Sequence, residues 1–372
     1  ADPAGISIVV DHVLASRKFA IVAGDDVARS GANAELVRLS EGIGAPVWFE
    51  GLRQRVAFPT DHPNARGGLP FDAAGIAAAL HGVDLVLMIG GPFFEEVWHS
   101  GGSPFPEGAR VLQVEESSAR VAFNYSLTAG VVGHLPTTLA ALNDALELRA
   151  STEFLGRANE RNADMRRSKA SEATGQRRRL ERAWDREPPS LPRVVEEIRS
   201  VLPPNTVVVD ESITGSADLG RMIAFETADD YFGGRGGGIG QGLAGAIGVK
   251  LGFPDRPVIA ISGDGSAMYS IQALWTAAHH ELAIVFAILA NREYRVLKHN
   301  MDIYRHRFGA PSNQGYLHMD LDEPVLDFVE LAAGMGVAGT RVTRADEIGT
   351  AIKSALDSGR PHVVEIVMEG KV

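Results

Sequence analysis

The chain has 372 residues, 45% of them apolar, with a net charge of −11 and no cysteine. Such a length and apolar content can bury more than one core, and two domains is the natural expectation. The negative balance argues against a general nucleic-acid or anionic membrane surface, and without cysteine there are no disulfides or thiolate metal sites. Taken in order, the first residues lack the basic and apolar regions of a secretory leader, so a reducing cytoplasmic setting is expected. In the first half, helical and strand patterns alternate. Helices are expected over residues 6–15, 32–43, 73–81 and 136–148, and strands over 19–23, 46–49, 84–89 and 110–114. This alternation predicts a doubly wound α/β sheet with helices on both faces. The loop Gly24-Asp25-Asp26 follows the first strand, where such sheets often bind nucleotides. Two carboxylates would repel phosphate and the glycine fingerprint is missing, so a structural role is expected.

From 151 to 190 the chain is rich in charge, poor in apolar residues, and closes on Pro188-Pro189. It reads as a linker, either a solvated connecting helix or a mobile segment, between a first domain over 1–150 and a second over 191–372. In the second domain a helix over 194–202 leads to a strand at 206–209 and the loop Asp210-Glu211-Ser212-Ile213-Thr214-Gly215. A strand-end loop of small polar residues before a helix adds donors for an anion, and an ordinary N-cap role for Thr214 stands beside that reading. Residues 233–242, GGRGGGIGQG, are the most glycine-rich in the chain and would let a flat ring approach the backbone. The GxGxxG spelled by 240–245 lacks the preceding strand that a dinucleotide loop needs, since glycines and Arg235 stand there.

Residues 257–294, PVIAISGDGSAMYSIQALWTAAHHELAIVFAILANREY, read as a βαβ unit with a polar residue at the end of each strand. The second apolar run, 282–290, is strand length and too short to span a bilayer. Parallel neighbouring strands would bring Asp264 and Asn291 together at the sheet edge where α/β proteins bind ligands. Two hard oxygen donors with room for phosphate oxygens suit an octahedral Mg²⁺. Gly265 and Ser266, opening the crossover helix, would aim N–H groups and the helix dipole at a diphosphate. The pair His279-His280 closes that helix, where adjacent side chains diverge and a helix C-terminus favours them, so a structural role is expected. Helical and strand patterns over 295–307, 325–335, 341–342, 346–356 and 362–367 complete a second doubly wound sheet.

GDGS at 263–266 with Asn291 beyond it resembles the thiamine diphosphate (ThDP) motif, and SAMYSIQALWTAA at 266–278 is similar to that segment of the benzoylformate decarboxylases. AIVAGDDV, APVWFE, FPTDHPNARGGLP and DLVLMIGGPFF in the first half have counterparts in the middle domain of the same ThDP-dependent 2-oxo acid decarboxylase family. The resemblance implies a Rossmann-like middle domain followed by a ThDP-binding domain. It implies ThDP and Mg²⁺ as cofactors, with Asp264, Asn291 and the backbone carbonyl of Glu293 as metal ligands. The family motif usually ends in two asparagines, and here Ala290 holds the first place. Ile213, Thr214, Gly237, Gly238, Ile239, Gly263, Gly265, Ser266 and Tyr294 fall at cofactor-binding positions. Among them the Gly237 carbonyl would accept from the exocyclic amine and Ile239 would wedge the cofactor into its bent form. Val296 and Leu297 would line the substrate pocket. Asn300 and Gly233 stand where aromatic residues are found in the family, which makes an aryl substrate less secure.

The resemblance covers two of the family's three domains. The third, which precedes them and carries a glutamate that activates the cofactor, has no counterpart in these residues. A family histidine after the strand at 84–89 has Val97 in its place, with His99 two residues on. The expectation is a homo-oligomeric, non-oxidative decarboxylase of a small 2-oxo acid, inactive as this chain alone for want of the N-terminal domain. Carboligation of the acetolactate synthase or benzaldehyde lyase kind and a non-catalytic binding module are the alternatives.

Overall fold

The computed structural model describes residues 1–94, 101–235, 237–312 and 314–370. It divides into two units. One comprises Ala1–Gln176 with the short stretches Ala224–Asp229 and Arg235–Gly237, and the other comprises Arg177–Ile223, Asp230–Gly234 and Gly238–Val372.

The first unit holds β1 (Phe19–Ala23), β2 (Val47–Phe49), β3 (Ala65–Gly68), β4 (Leu85–Ile89), β5 (Arg110–Glu115) and β6 (Ala129–Val132) in the order β3-β2-β1-β4-β5-β6. Each neighbouring pair is parallel. The two central strands, FAIVA and LVLMI, are buried along their whole length, as strands covered on both faces must be. Side chains alternate between two cores. Ile21 and Leu87 join Val10, Leu36 and Leu139 on one face, and Val22 and Val86 join Ile76 and Leu80 on the other. Strands β3 and β6 and the short helix Asp25–Arg29 have too little periodicity to be read from sequence.

The Gly24-Asp25-Asp26 loop is tied down by its own carboxylates. Asp25 Oδ1 accepts from the backbone N–H groups of Gln54 (2.8 Å) and Arg55 (3.1 Å), and Asp26 pairs with Arg29 (3.1 Å) and Arg120. The charged segment after this sheet is helical: Thr152–Ala183 runs for 32 residues without a break. Its Phe154, Ala158 and Met165 are buried, and the Arg161 guanidinium lies 5.0 Å from the Phe19 ring centroid.

The second unit holds β7 (Val207–Glu211), β8 (Tyr231–Gly233), β9 (Val258–Gly263), β10 (Ile284–Ala290), β11 (Ala338–Val342) and β12 (His362–Val367), again all parallel, in the order β11-β12-β10-β9-β7-β8. Its core joins Val207, Val258, Ile284, Phe286 and Ile288 to Leu243, Leu274 and Phe328 from the covering helices. The fold class is therefore the expected one, two six-stranded parallel sheets wrapped by helices. One expected helix differs. The crossover between β9 and β10 is two short helices, Asp264–Ala267 and Ala273–His279, and the break seats Tyr269 against Gly240, whose added Cβ would lie 2.7 Å from the tyrosine Cβ. Among the described residues, no helix is long and apolar enough to cross a membrane.

Candidate cofactor and metal site

Strands β9 and β10 run side by side with Gly263 opposite Leu289, so Asp264 and Asn291 emerge from adjacent strand ends. Asp264 is 3% exposed. Its Oδ1 accepts from the Gly265 N–H (2.8 Å) and its Oδ2 from the Arg292 N–H (2.6 Å), which links the two strand ends directly. Burial pushes the Asp264 carboxyl up to about 6, although the Arg292 and Gly265 hydrogen bonds pull the other way. A buried carboxylate held by backbone amides alone gains most from a cation.

Asn291 accepts from the Glu293 N–H through Oδ1 (3.1 Å), and Arg292 between them takes a left-handed conformation with φ 59°. That is an unfavoured state for arginine, of the kind that persists where neighbours over-determine it. The fully buried Glu293 carboxylate is turned away to two cations, with Lys298 Nζ at 2.5 Å and Arg295 Nε at 2.9 Å. Burial by itself would raise that carboxyl, and the hydrogen bonds from Lys298 and Arg295 hold it below the usual range instead. Glu293 can thus offer a metal only its backbone carbonyl. Among the described residues that carbonyl accepts no hydrogen bond, because the flanking bridge to Asp320 runs from Tyr294 N to Met319 O and from Leu321 N to Arg292 O, both 2.8 Å. Among the described residues no three His, Asp or Glu side chains gather as a metal cluster. One carboxylate, one amide oxygen and one carbonyl are hard oxygens of the type that Mg²⁺ takes, and together they could hold it with positions left for phosphate oxygens.

The other residues singled out in the sequence fall as follows. Gly265 is buried, and a Cβ there would meet the Tyr294 ring at 2.7 Å, while Gly263 has open space at the same test. Ser266 is buried in the four-residue helix Asp264–Ala267. The full helix dipole expected at Gly265 and Ser266 is therefore that of a single turn, because the ladder stops at Ala267. Beside β9, the end of β7 carries Asp210, which accepts from Ser212 N (2.8 Å) and Tyr231 Oη (2.8 Å). The 3₁₀ turn Ile213–Gly215 follows, with Ile213 39% exposed at φ 56°. A β-branched residue in the left-handed region is costly. Thr214 is exposed. Gly237, grouped with the first unit, has φ 69°, and a Cβ added at Gly237 or at Gly238 would meet no atom within 4 Å. Ile239 is half-buried, as is Val296, and Leu297 is exposed on the helix Arg295–Arg307. Val97 and His99 lie outside the described residues. His279 stacks on Trp275 at 4.9 Å, both rings being exposed.

Glu211 is a residue whose part the sequence does not disclose. Its Oε1 accepts from the N–H groups of Gly240 and Gln241, both 2.8 Å, at the start of the helix Gln241–Gly252. A protein carboxylate thus fills the place where a dinucleotide phosphate would sit on GxGxxG.

Models of the thiamine pyrophosphate enzymes match this chain twice, as the central domain over residues 6–142 and as the C-terminal TPP binding domain over residues 214–366. The chain belongs to the thiamine pyrophosphate enzymes. This ThDP-family chain is 32% identical over 364 residues to a benzoylformate decarboxylase of Pseudomonas aeruginosa, a match covering 98% of the chain and 63% of that enzyme. It is 37% identical over 178 residues to a putative acetolactate synthase large subunit of Mycobacterium tuberculosis, covering 47% of the chain and 34% of the relative. The solved structure of a ThDP-dependent 4-hydroxybenzoylformate decarboxylase from Rhodococcus jostii superposes with a TM-score of 0.82 at 28% identity, covering all of this chain and 65% of the other. The chain thus spans less than two thirds of these relatives.

The raised Asp264 carboxyl has a consequence for stability. A group that holds its proton more tightly when folded stabilises the fold below its unfolded value and loses that contribution as pH rises through its folded value. In EDTA, the native chain should therefore lose stability relative to Asp264→Asn between pH 4 and about 6, by roughly 3 kcal/mol at most. Urea denaturation of both proteins across that range measures the difference, and a flat difference would remove the desolvation argument.

Proposed function

We propose that this chain provides the diphosphate and Mg²⁺ site of a ThDP-dependent, non-oxidative 2-oxo acid decarboxylase of the benzoylformate decarboxylase kind. The observation that carries the reading is the convergence of buried Asp264, Asn291 and the unused Glu293 carbonyl at adjacent strand ends. Asp264, Asn291 and the Glu293 carbonyl hold the metal, while the backbone of 213–215 and 265–266 meets the diphosphate. ThDP, when bound, supplies the electron sink that makes loss of CO₂ from a 2-oxo acid feasible. The protein's part here is to neutralise the diphosphate, fix its position and hold the cofactor near the substrate. Val296 and Leu297 line the side of the substrate, and the working protein is a cytoplasmic homo-oligomer.

A carboligase of the acetolactate synthase kind is the second reading, favoured by the M. tuberculosis relative, which is similar over about half of the chain. Trapping of products after feeding pyruvate or benzoylformate separates the two, because the first yields free aldehyde and the second a hydroxyketone.

The purified 372-residue chain is expected to bind ThDP with Mg²⁺ and yet yield no aldehyde. The carboxylates at the sheet edge of the second unit are committed: Asp210 to Ser212 and Tyr231, Glu211 to the helix start, Asp264 to two amides and Glu293 to two cations. The second oxygen of Glu211 is buried and has no hydrogen-bond partner among the described residues. With these groups so engaged, we infer that general acid-base help worth about 10²- to 10⁴-fold comes from elsewhere. Calorimetry for binding and coupled aldehyde reduction for turnover, repeated after adding a separately expressed pyrimidine-binding domain of a related decarboxylase, test both statements. Failure to bind sinks the site, and robust turnover by the chain alone sinks the assignment of these four carboxylates.

A further inference from the structure

Lys298 lies one helical turn beyond the candidate metal loop, with its side chain only 4% exposed. Its ammonium bridges two carboxylates, Glu293 at 2.5 Å and Asp320 at 2.7 Å, and lies 5.5 Å from the Tyr316 ring. Glu293 is fully buried and Asp320 about half exposed. Burying such charges is costly, and an apolar pair of similar volume stabilises a fold as well or better. An ion bridge at this place therefore calls for a conformational explanation, and its two anchors supply one. Glu293 belongs to the turn 291–293, which includes the left-handed Arg292, and Asp320 belongs to the segment 316–322. Backbone bonds already join these two stretches on either side of Glu293, and Arg295 fixes the other Glu293 oxygen while also donating to Glu369 O (2.7 Å).

We propose that Lys298 is a positioning residue for the candidate metal site, joining Glu293 to Asp320 so that the 291–293 turn keeps the shape in which its carbonyl can serve as a ligand. The inference rests on the Mg²⁺–ThDP reading given above. It assigns the invisible part of a three-donor site to an ion bridge: Asp264 and Asn291 bind through their own side chains, whereas the Glu293 carbonyl depends on how its side chain is held. Outer-shell partners of metal ligands typically change metal affinity by about 10- to 100-fold when removed.

The test uses the full 372-residue chain, titrating Mg²⁺ calorimetrically at a fixed, saturating ThDP concentration. Amide hydrogen exchange over 291–294 and 316–321 and thermal midpoints in EDTA are recorded alongside. Lys298→Met should weaken apparent Mg²⁺ affinity about tenfold or more and speed exchange in both segments, and Lys298→Arg should restore part of each. Lys353→Met, which removes an exposed pair with Asp357, should move neither. Should Lys298→Met fail to fold because it leaves Glu293 with Arg295 alone, the double variant Glu293→Gln/Lys298→Met removes both inner charges of the bridge, and Asp320→Asn removes the charge at its outer end. Both should still weaken Mg²⁺ binding. Unchanged Mg²⁺ affinity in a folded variant, with only a lowered thermal midpoint, would make the bridge a stability element and overturn the proposal. Absence of Mg²⁺-dependent binding by the unsubstituted chain would instead remove the site reading and this inference with it.

Discussion

Asp264→Ala should abolish Mg²⁺-dependent ThDP binding, a loss on the order of a hundredfold in affinity or more, because it removes the one anionic side chain among the three proposed donors. The same change should cost the metal-free fold little. In EDTA near neutral pH it deletes a carboxylate whose ionisation burial disfavours by roughly 3 kcal/mol, and it leaves the Gly265 and Arg292 N–H groups without their acceptor, at about 1 to 3 kcal/mol. Those effects oppose one another. Calorimetry with and without Mg²⁺, set beside urea denaturation in EDTA, separates the two roles. Binding that survives in the variant would overturn the assignment, while lost binding with a collapsed fold would make Asp264 structural. Asp264→Asn is the intermediate case, since the amide keeps an oxygen for the metal and gives up the charge.

What the sequence discloses follows from how locally each feature is encoded. The four central strands of the two sheets are long apolar runs covered on both faces, so composition and length identify them. Strand β12 is legible to its observed limits, 362–367. Edge strands β3, β6 and β8 have three or four residues with mixed burial, and their existence depends on a neighbour's hydrogen bonds rather than on their own pattern. In the site, Asp264 and Asn291 are legible because a strand-end position needs only the βαβ topology to be placed. The fate of the Glu293 side chain is not, since Lys298 and Asp320 meet it through a helix and a returning segment whose approach has no local signal. Glu211 illustrates the same limit. Its neighbours in sequence suggest a phosphate loop, and its partners are amides about 30 residues away. The break after Ala267 has no proline or glycine over 268–272 to announce it, and the packing of Tyr269 on Gly240 emerges only in three dimensions.

The second large effect is expected in the first unit, at Gly24→Ala. Gly24 ends β1 beside the end of β4, donating its N–H to Ile89 O (2.9 Å), while Asp26 N donates to Gly90 O (3.1 Å). A Cβ at Gly24 would fall 2.2 Å from Gly90 O and 2.9 Å from both Gly90 C and Gly91 Cα. All three are backbone atoms of a central strand end, so no rotamer change relieves the overlap. The chains must part at the point where strand order reverses, breaking both hydrogen bonds. The expected cost is about 3 kcal/mol, the upper range for overpacking, because the obstacle is main chain. Gly42→Ala is the control, since it sits in the helix Asn33–Ile43 with nothing within 4 Å of its Cβ position. That change should stabilise the chain by about 0.5 to 1 kcal/mol. Because two units need not unfold in one step, hydrogen exchange resolved to β1 and β4 is a better readout than a single melting temperature. Exchange in these strands should accelerate in Gly24→Ala and slow slightly in Gly42→Ala. Equal protection in Gly24→Ala and the native chain would mean that the β1 and β4 ends can separate freely, and the close approach at Gly24 would then contribute nothing to holding this sheet.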